Sequence, residues 1–312
     1  MSNIATREAY GKALVKLGDL RGDVVVLDAD LSKSTKTSEF AKTFPTRFFN
    51  MGIAEQNLIG AACGLATAGK IPFASTFAMF ATGRGFEIIR NSVCYPNLNV
   101  KICATHAGIS VGEDGASHQS VEDIAIMRSI PNMTVLVPCD AIETEKMIIE
   151  IFKNNGPVYV RLGRRAVPQI FVEDYDFEIG KGVILREGSD ATIIACGMMV
   201  NEAINASKLL KEEGINVRVI NMSTIKPIDK EVIIESAKKT GAIVTVEEHS
   251  VIGGLGSAVS DVVSENYPVL VKKIGINDVF GQSGKPKQLI EEYGWTVENI
   301  INKVKEAIQT KQ

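Results

Sequence analysis

Residues 51–57, Met-Gly-Ile-Ala-Glu-Gln-Asn, place one carboxyl group among apolar neighbours. Gly52 permits a tight turn, and the small apolar residues 58–68 predict a helix that returns to the interior. Glu55 lies at the start of that helix. Burial among apolar residues disfavours the charged form of a carboxyl group, so Glu55 could share a proton with a nitrogen heterocycle. A glutamate favoured by the dipole of the helix is the alternative interpretation.

A glycine-rich loop at residues 105–119, Thr-His-Ala-Gly-Ile-Ser-Val-Gly-Glu-Asp-Gly-Ala-Ser-His-Gln, holds two of the three histidines in the chain. His106, Glu113, Asp114 and His118 are four titratable groups within thirteen residues, which core packing does not explain. A loop that leaves a buried strand can direct such groups at one small polar ligand. Turn chemistry and metal ligation are the alternatives, and metal is disfavoured because no HxxEH motif or helically spaced histidine pair is present.

Aromatic and basic side chains supply further candidate binding groups. The run Thr-Phe-Ala-Met-Phe at 76–80 places Phe77 and Phe80 on one face of a predicted helix. Their rings either pack in the core or stack on a flat heterocycle. Arg164 and Arg165 follow a predicted strand; they either bind a phosphate group through paired hydrogen bonds or lie exposed at a domain boundary.

Length and composition restrict the class of protein. A chain of 312 residues favours two domains, and 45% hydrophobic with 23% charged residues is typical of globular proteins. A net charge of −3 argues against a nucleic-acid-binding surface. Five scattered cysteines in apolar runs predict buried free thiols in a reducing compartment. Without a signal-like start or an 18-residue apolar span, the sequence predicts a cytoplasmic protein.

The candidate groups are attached to strands that alternate with helices. This alternation predicts α/β architecture, with two consecutive domains that each contain a parallel sheet. The polar loop 28–34 follows a buried strand, at the sheet edge where such folds bind ligands. In the first segment the pattern predicts helices at 5–18, 36–43, from Glu55, 77–91, 121–128 and 141–153, and strands at 24–27, 47–50, from 71, 100–104, 134–137 and 158–161.

A second α/β segment follows a stretch in which the alternation is lost. We predict domains at 1–166 and 190–312, joined by a linker at 167–189. In the second domain the pattern predicts strands at 191–196, 216–221, 242–247 and 270–274, and helices at 199–213, 229–239, after Gly256, after 285 and after 296. The run Gly-Gly-Leu-Gly at 253–256 either cradles a phosphate or packs tightly between strand and helix, and it lacks full dinucleotide-binding spacing.

Three motifs in order, GIAEQN, STFAMF and THxxxxxGEDGxxHQ, resemble the pyrimidine-binding domain of the transketolase family. The second segment, with VEEHSVIGGLG at 246–256, is similar to the C-terminal domain of that family. Full-length members begin with a further domain that bears a GDG…N motif and holds magnesium and the diphosphate of thiamine diphosphate. This motif is not found here, so the chain resembles the C-terminal half of a split transketolase.

The resemblance implies which residues contact the cofactor, thiamine diphosphate. Glu55 is expected to hydrogen-bond the ring nitrogen of the pyrimidine and so to be catalytic. Phe77 and Phe80 are expected to form the pyrimidine pocket, and Asp30 to lie near the cofactor. The family places a further aromatic residue at the position of Gly83.

The resemblance also implies a set of substrate-binding residues. Ser34, His106 and Arg164 match positions that bind the substrate phosphate. Asp114 matches the position that reads a sugar hydroxyl, and His118 one beside the reacting carbons, so both histidines are catalytic candidates. The usual His-Asp-Ser of the family is His-Ala-Gly here, at residues 106–108.

The implied function is the C-terminal subunit of a transketolase, which transfers a two-carbon ketol unit from a ketose phosphate to an aldose phosphate. The expected partner is an N-terminal-half subunit that holds most of the Mg2+ site, in an α2β2 heterotetramer within the pentose phosphate pathway; no metal ligands are expected in this chain. The alternatives are a 1-deoxyxylulose-5-phosphate synthase-like enzyme, a 2-oxo-acid dehydrogenase β subunit, or a catalytically silent scaffold or regulatory relative.

Overall fold

The first α/β unit contains a sheet that is covered by helices on both faces. The computed structural model describes residues 3–311. On one central strand, Phe73 packs into one hydrophobic core and Ala74 into the other, because successive side chains point to opposite faces of a sheet. Leu14 of the first helix shares the core of Phe73, and Leu58 of the Glu55 helix shares that of Ala74. The predicted α/β architecture is confirmed.

The elements of the first unit follow the predicted alternation closely. Its strands are β1 (Ile4–Ala5), β2 (Val24–Asp28), β3 (Phe48–Asn50), β4 (Ile71–Phe77), β5 (Lys101–Thr105), β6 (Thr134–Leu136), β7 (Val158–Arg161) and β8 (Ala166–Val167). Its helices are α1 (Thr6–Leu20), α2 (Ser32–Thr35), α3 (Ser38–Thr43), α4 (Glu55–Thr67), α5 (Ala78–Arg84), α6 (Phe86–Ile88), α7 (Asp123–Ser129) and α8 (Ala141–Lys153). Short 3-10 turns at Pro45–Arg47 and Ile109–Val111 and a π-helical segment at Ile89–Cys94 complete it.

The second unit has the same construction. Its strands are β9 (Val183–Arg186), β10 (Ala191–Ala195), β11 (Val217–Asn221), β12 (Thr224–Lys226), β13 (Ala242–Ser250) and β14 (Leu270–Ile276). Its helices are α9 (Met199–Glu212), α10 (Lys230–Thr240), α11 (Leu255–Asn266), α12 (Pro286–Glu292) and α13 (Val297–Thr310). The amphipathic helix α13 buries Ile300, Val304 and Ala307.

In the two larger sheets, one edge strand of each lies outside the domain predicted for that sheet. The first has the order β12-β6-β7-β5-β4-β2-β3 and is parallel except for β12, a strand from the second segment that pairs antiparallel with β6. The second has the order β14-β13-β10-β11-β9 and is parallel except for β9. Strand β9 lies in the stretch that the sequence predicts as a linker. Such short edge strands carry too little periodicity to be predicted, because their pairing partners are distant in sequence.

Two predicted helices differ from the observed elements. The helix predicted at 36–43 begins later, as α3 at Ser38, and Lys36, with a φ of 70°, separates it from the short helix α2 in the preceding loop. The helix predicted at 77–91 is divided into α5, α6 and the π-helical segment, and Phe77 is the last residue of β4 rather than a helical residue. The aromatic pair is therefore presented from the junction of a strand and a helix.

The glycine run at 253–256 serves tight packing. The backbone N–H groups of Leu255 and Gly256, at the start of α11, donate to the carboxylate of Glu247 at 2.7 and 2.8 Å. A Cβ on Gly254 would lie 2.1 Å from the same carboxylate. A buried side chain of this chain therefore occupies the place where a phosphate would bind at a helix N-terminus.

All five cysteines are buried and free, as the sequence predicts. In the described part of the chain, no helix is long and apolar enough to cross a membrane.

A buried guanidinium joins the two units. Nε of Arg161 donates to Asp123 Oδ2 at 2.8 Å, and Nη2 donates to the carbonyl oxygen of Glu248, on β13, at 2.8 Å and to that of Ser120 at 3.3 Å. Tyr159 Oη donates to the same carboxylate oxygen at 2.7 Å. The side chains of Arg161 and Asp123 are 5% and 0% exposed, so their charges depend on each other for stabilisation.

Replacement of one partner in this ion pair should destabilise the chain strongly. Arg161→Met leaves the buried Asp123 carboxylate without its counter-ion, and we expect the free energy of unfolding to fall by about 3–5 kcal/mol. Arg161→Met combined with Asp123→Leu should recover part of the loss, since neither charge is then buried alone. Urea denaturation measures all three chains, with Arg21→Ala at an exposed ion pair as the control. A single variant as stable as the control would contradict this assignment.

Candidate functional site

Four predicted site residues lie along one edge of the first sheet. Asp30 follows β2, Phe77 ends β4, His106 follows β5 and Arg164 follows β7. These strands are parallel, so their carboxyl ends meet at one edge, which is where open α/β sheets bind ligands.

Aromatic and imidazole rings form a contiguous cluster at this edge. The ring of Phe77 stacks on His106 with centroids 3.9 Å apart and on Phe80 with centroids 5.8 Å apart. His118 meets the ring of Phe80 edge-on at 5.3 Å. The structure thus brings together two residues expected to bind cofactor and two expected to bind substrate.

His106 is held in a strained and buried position. It is 3% exposed and has a φ of 56°, a region that non-glycine residues rarely adopt. Its Nδ1 lies 2.9 Å from Thr105 Oγ1, and its Nε2 lies 3.4 Å from Nη1 of Arg7. Burial, followed by the positive charges of Arg7 and Arg164, lowers the pKa of His106 to about 3. The imidazole is therefore neutral near pH 7.

Arg7 is a site residue that the sequence analysis missed. Its Nη1 also donates to the carbonyl oxygen of Ser34 at 2.8 Å, so it connects α2 with the imidazole of His106. Arg7 lies 99 residues from His106 in the chain, and its position on an amphipathic helix provides no local signal of this contact.

Glu55 begins α4 as predicted, and its side chain is 6% exposed. Its Oε1 accepts a hydrogen bond from Nη1 of Arg84 at 2.9 Å. The guanidinium of Arg84 also lies 4.5 Å from the ring centroid of Phe80, which connects the carboxyl group to the aromatic cluster. Arg84 was not a candidate in the sequence analysis, because an arginine at the end of a helix is typical of an exposed surface.

A cavity of about 580 Å³ opens beside Glu55, between the start of α4 and the end of α5. Its walls include Ile53, Gln56 and Gly83, and Ile53 is 78% exposed. The sequence predicts a dry environment around Glu55. Its side chain is nearly buried, but the cavity beside it is open to solvent. Gly83, at the position of the expected aromatic residue, widens the cavity.

The loop after β2 is braced from within the protein. The buried carboxylate of Asp28 accepts hydrogen bonds from the backbone N–H of Leu31 and the hydroxyl of Thr35, both at 2.6 Å. Burial raises the pKa of this carboxyl group. Asp30 is exposed with a φ of 63°, and its Oδ1 accepts a hydrogen bond from Asn50 at 3.0 Å.

The glycine-rich loop contacts both Arg164 and the second unit. Nη1 of Arg164 donates to the carbonyl oxygen of Val111 and lies 3.5 Å from Glu113, while Asp114 is exposed at the tip. A Cβ at Gly108 would lie 2.3 Å from Oε1 of Glu248. The replacement of the usual serine by glycine here therefore permits close contact between the loop and β13.

The structure thus links Glu55, through Arg84, to the cluster of Phe80, Phe77, His106 and His118. Asp30 instead contacts Asn50, and Asp114 is exposed. The family model described as "Transketolase, pyrimidine binding domain" matches residues 2–169, and the model described as "Transketolase, C-terminal domain" matches residues 180–300. The "Putative transketolase C-terminal section" of Methanocaldococcus jannaschii is 56% identical over 97% of this chain and 96% of its own length. Homo sapiens transketolase is 40% identical over 93% of this chain, but over only 47% of that enzyme.

A solved structure shows the same relationship. The protein described as "Split gene transketolase, inactive beta4 tetramer" is 58% identical over the full length of both chains, with a TM-score of 0.92. The fold and the matching domains define an α/β subunit of the thiamine-diphosphate-dependent class. The chain belongs to the transketolase family and corresponds to its C-terminal section, about half the length of the human enzyme. The deoxyxylulose phosphate synthase, dehydrogenase and scaffold alternatives are not favoured.

The low pKa of His106 predicts a distinctive pH dependence of stability. An unfolded histidine binds a proton below its ordinary pKa of 6.5, whereas folded His106 does so only near pH 3. The free energy of unfolding should therefore fall as the pH decreases from about 6.5 towards 3. In His106→Gln this decline should be shallower, as measured by urea titration of the fluorescence of buried Trp295, with each chain referred to its own value near neutral pH. Equal slopes would show that the imidazole is not kept neutral by burial.

Proposed function

We propose that this chain is the C-terminal subunit of a two-component transketolase. Together with a separate N-terminal-half subunit, it transfers a two-carbon ketol unit from a ketose phosphate to an aldose phosphate. The observation that carries the proposal is the nearly buried Glu55 carboxyl group, which borders a surface cavity and is linked through Arg84 to the ring of Phe80. We propose residues 1–166 as the domain that holds this site and 190–312 as the second domain.

The residues around the cavity fit the pyrimidine end of thiamine diphosphate. Glu55, in the cavity wall, supplies a carboxyl group for a ring nitrogen. Phe77 and Phe80 are proposed to supply aromatic surface, and the ring of Phe80 is linked to Glu55 through Arg84. Asp30 lies on the same sheet edge and is proposed to lie near the cofactor. Once bound, thiamine diphosphate supplies the electron sink for carbon–carbon bond cleavage. The contribution of this chain is to bind and orient the pyrimidine and to hold a proton at the Glu55 carboxyl group.

The substrate is proposed to bind at the other end of the ring cluster. Arg164 is suited to a phosphate group because guanidinium forms paired, charge-assisted hydrogen bonds. Ser34 lies on α2, where its carbonyl oxygen accepts a hydrogen bond from Arg7. Ser34 is proposed to contact the same phosphate as Arg164. The neutral imidazole of His106 can donate or accept a single hydrogen bond without a change of charge. Asp114 is proposed to read a sugar hydroxyl, and His118, against Phe80, to face the reacting carbons.

The partner subunit is proposed to supply most of the Mg2+ site and the diphosphate-binding groups. Magnesium is usually bound by one or two carboxylates together with the phosphates of its ligand. Support comes from the domains that this chain matches, which are the pyrimidine-binding and C-terminal domains of the family. The cavity beside Glu55 opens at the surface, with exposed Ile53 at its rim, which suits closure by a partner. We propose an α2β2 heterotetramer acting on sugar phosphates of the pentose phosphate pathway in the cytoplasm.

Complementation tests this proposal directly. The purified chain should show no transketolase turnover alone and should gain turnover when mixed with a protein of the N-terminal half that carries GDG…N. Calorimetry should show magnesium-dependent binding of thiamine diphosphate by the mixture and at most weak binding by the chain alone. Tight binding and full turnover by the chain alone would refute the two-component proposal.

Glu55→Ala should abolish turnover of the assembled enzyme without unfolding this chain. The carboxyl group is proposed to take part in proton transfer, and such groups contribute about 10²–10⁴-fold in rate. Hydrogen–deuterium exchange at the reactive carbon of bound thiamine diphosphate measures the effect. The matched control is Glu298→Ala, which removes another glutamate from the first turn of a helix. Exchange at the wild-type rate in Glu55→Ala would support the alternative, a glutamate that only stabilises its helix.

A further inference from the structure

The second unit contacts the loop that carries several of the proposed substrate-binding residues. We call residues 106–118 the substrate loop. At one point its Ser110 N–H donates to Oε1 of Glu248, on β13, at 2.8 Å. At another, a Cβ on Gly112 would lie 3.1 Å from Pro286, the first residue of α12, and one on Gly115 would lie 2.4 Å from Ser283. The substrate loop is thus in close contact with the segment between β14 and α12.

Gln119 connects these parts through its side-chain amide. Its Nε2 lies 3.3 Å from the carbonyl oxygen of Ile109, 3.1 Å from that of Gly112 and 2.9 Å from that of Gln282. The orientation of the amide follows from chemistry, because only the NH2 group can face three carbonyl oxygens. A Cβ on Gly281 would lie 1.9 Å from Oε1, so the second unit also approaches the opposite side of the amide. Gln119 is 3% exposed and is therefore enclosed.

The substrate loop needs such an external constraint. Gly108, Gly112 and Gly115 have φ values of 79°, 90° and 78°, which glycine adopts readily but which leave the free loop many alternative conformations. Asp114 is exposed at its tip. The backbone that carries Asp114 and leads to His118 is therefore positioned by the contacts of the loop with the second unit, while the ring of His118 also packs against Phe80.

We propose that the second domain sets the substrate selectivity of the enzyme by clamping the substrate loop through Gln119 and residues 281–283. Gln119 is a positioning residue: it acts through Asp114 and His118 and does not touch the substrate. This inference rests on the proposed role of the loop in binding sugars. It assigns to the second domain a part in the site, although that domain contributes no residue to the ring cluster.

Hydrogen exchange on the free chain tests the clamp without reference to activity. Gln119→Met keeps the volume of the side chain and removes its donors. The amides of Gly112, Gly115 and His118, which are hydrogen-bonded within the loop, should exchange faster in this variant. The matched control is Gln169→Met, because Gln169 donates only to Phe171, two residues away. Unchanged exchange in the loop would overturn the clamp.

Selectivity in the assembled enzyme provides the second readout. Gln119→Met should lower kcat/KM for the acceptor sugar, by on the order of 10²-fold if the loop moves by about 1 Å, and leave thiamine diphosphate affinity unchanged. Gln119→Met should also reduce the ratio of kcat/KM for a 2-hydroxyaldose to that for its 2-deoxy analogue. In the double variant with Asp114→Ala, this ratio should be no lower than in Asp114→Ala alone. If Gln119 had a purely structural role, Gln119→Met would instead lower both the free energy of unfolding and the affinity for thiamine diphosphate.

Gly281→Ala places a methyl group of the second domain against the same amide. It should therefore also reduce the preference for a 2-hydroxyaldose over its 2-deoxy analogue. The control is Gly22→Ala, where an added Cβ meets nothing within 4 Å. Wild-type turnover with an unchanged preference in both Gln119→Met and Gly281→Ala would overturn the inference alone. A wild-type assembly without turnover would overturn the proposed function, and the inference with it.

Discussion

The guanidinium of Arg161 holds together three parts of the molecule that are distant in sequence. It is attached to β7, it pairs with Asp123 at the start of α7, and it donates to the backbone of β13 in the second unit. A buried charge is tolerated when it is paired and hydrogen-bonded, so this pairing favours one relative arrangement of the three parts. The sheet edge that carries the ring cluster and the strand that carries Glu248 are consequently held in a fixed relative position. The geometry of the site depends on this restriction.

The site is complete on one side and open on the other. His106, Phe77, Phe80 and His118 are packed against one another, which leaves their rings little freedom. Glu55, in contrast, is stabilised by Arg84, a side chain that is itself 54% exposed. A nearly buried carboxyl group paired with a half-exposed guanidinium at the rim of a cavity is suited to an exchange of partners. Under the proposed function, the closing surface comes from the N-terminal-half subunit.

The differences from the usual family motifs have structural reasons here. Gly108 replaces a serine because Glu248 approaches its backbone so closely that a side chain would clash. Gly83 replaces an aromatic residue beside Glu55 and contributes to the open cavity, while Arg84 next to it covers the face of Phe80. One change tightens the contact between the two units, and the other leaves space for a ligand.

The sequence by itself determined the α/β class, most helices and strands, and the motifs that identify the family. These features depend on local periodicity and on the order of short motifs, which can be read along the chain. Glu55 at the start of its helix and His106 after its strand were predicted for the same reason. The placement of β9 and β12 in their sheets was not predictable, because edge strands obtain their stability from distant partners. Likewise, only the tertiary structure brings Arg7 to His106, Arg84 to Glu55 and Gln119 to Gln282. These contacts join residues separated by 99, 29 and 163 positions, and long-range contacts of single polar side chains leave no pattern in the local sequence.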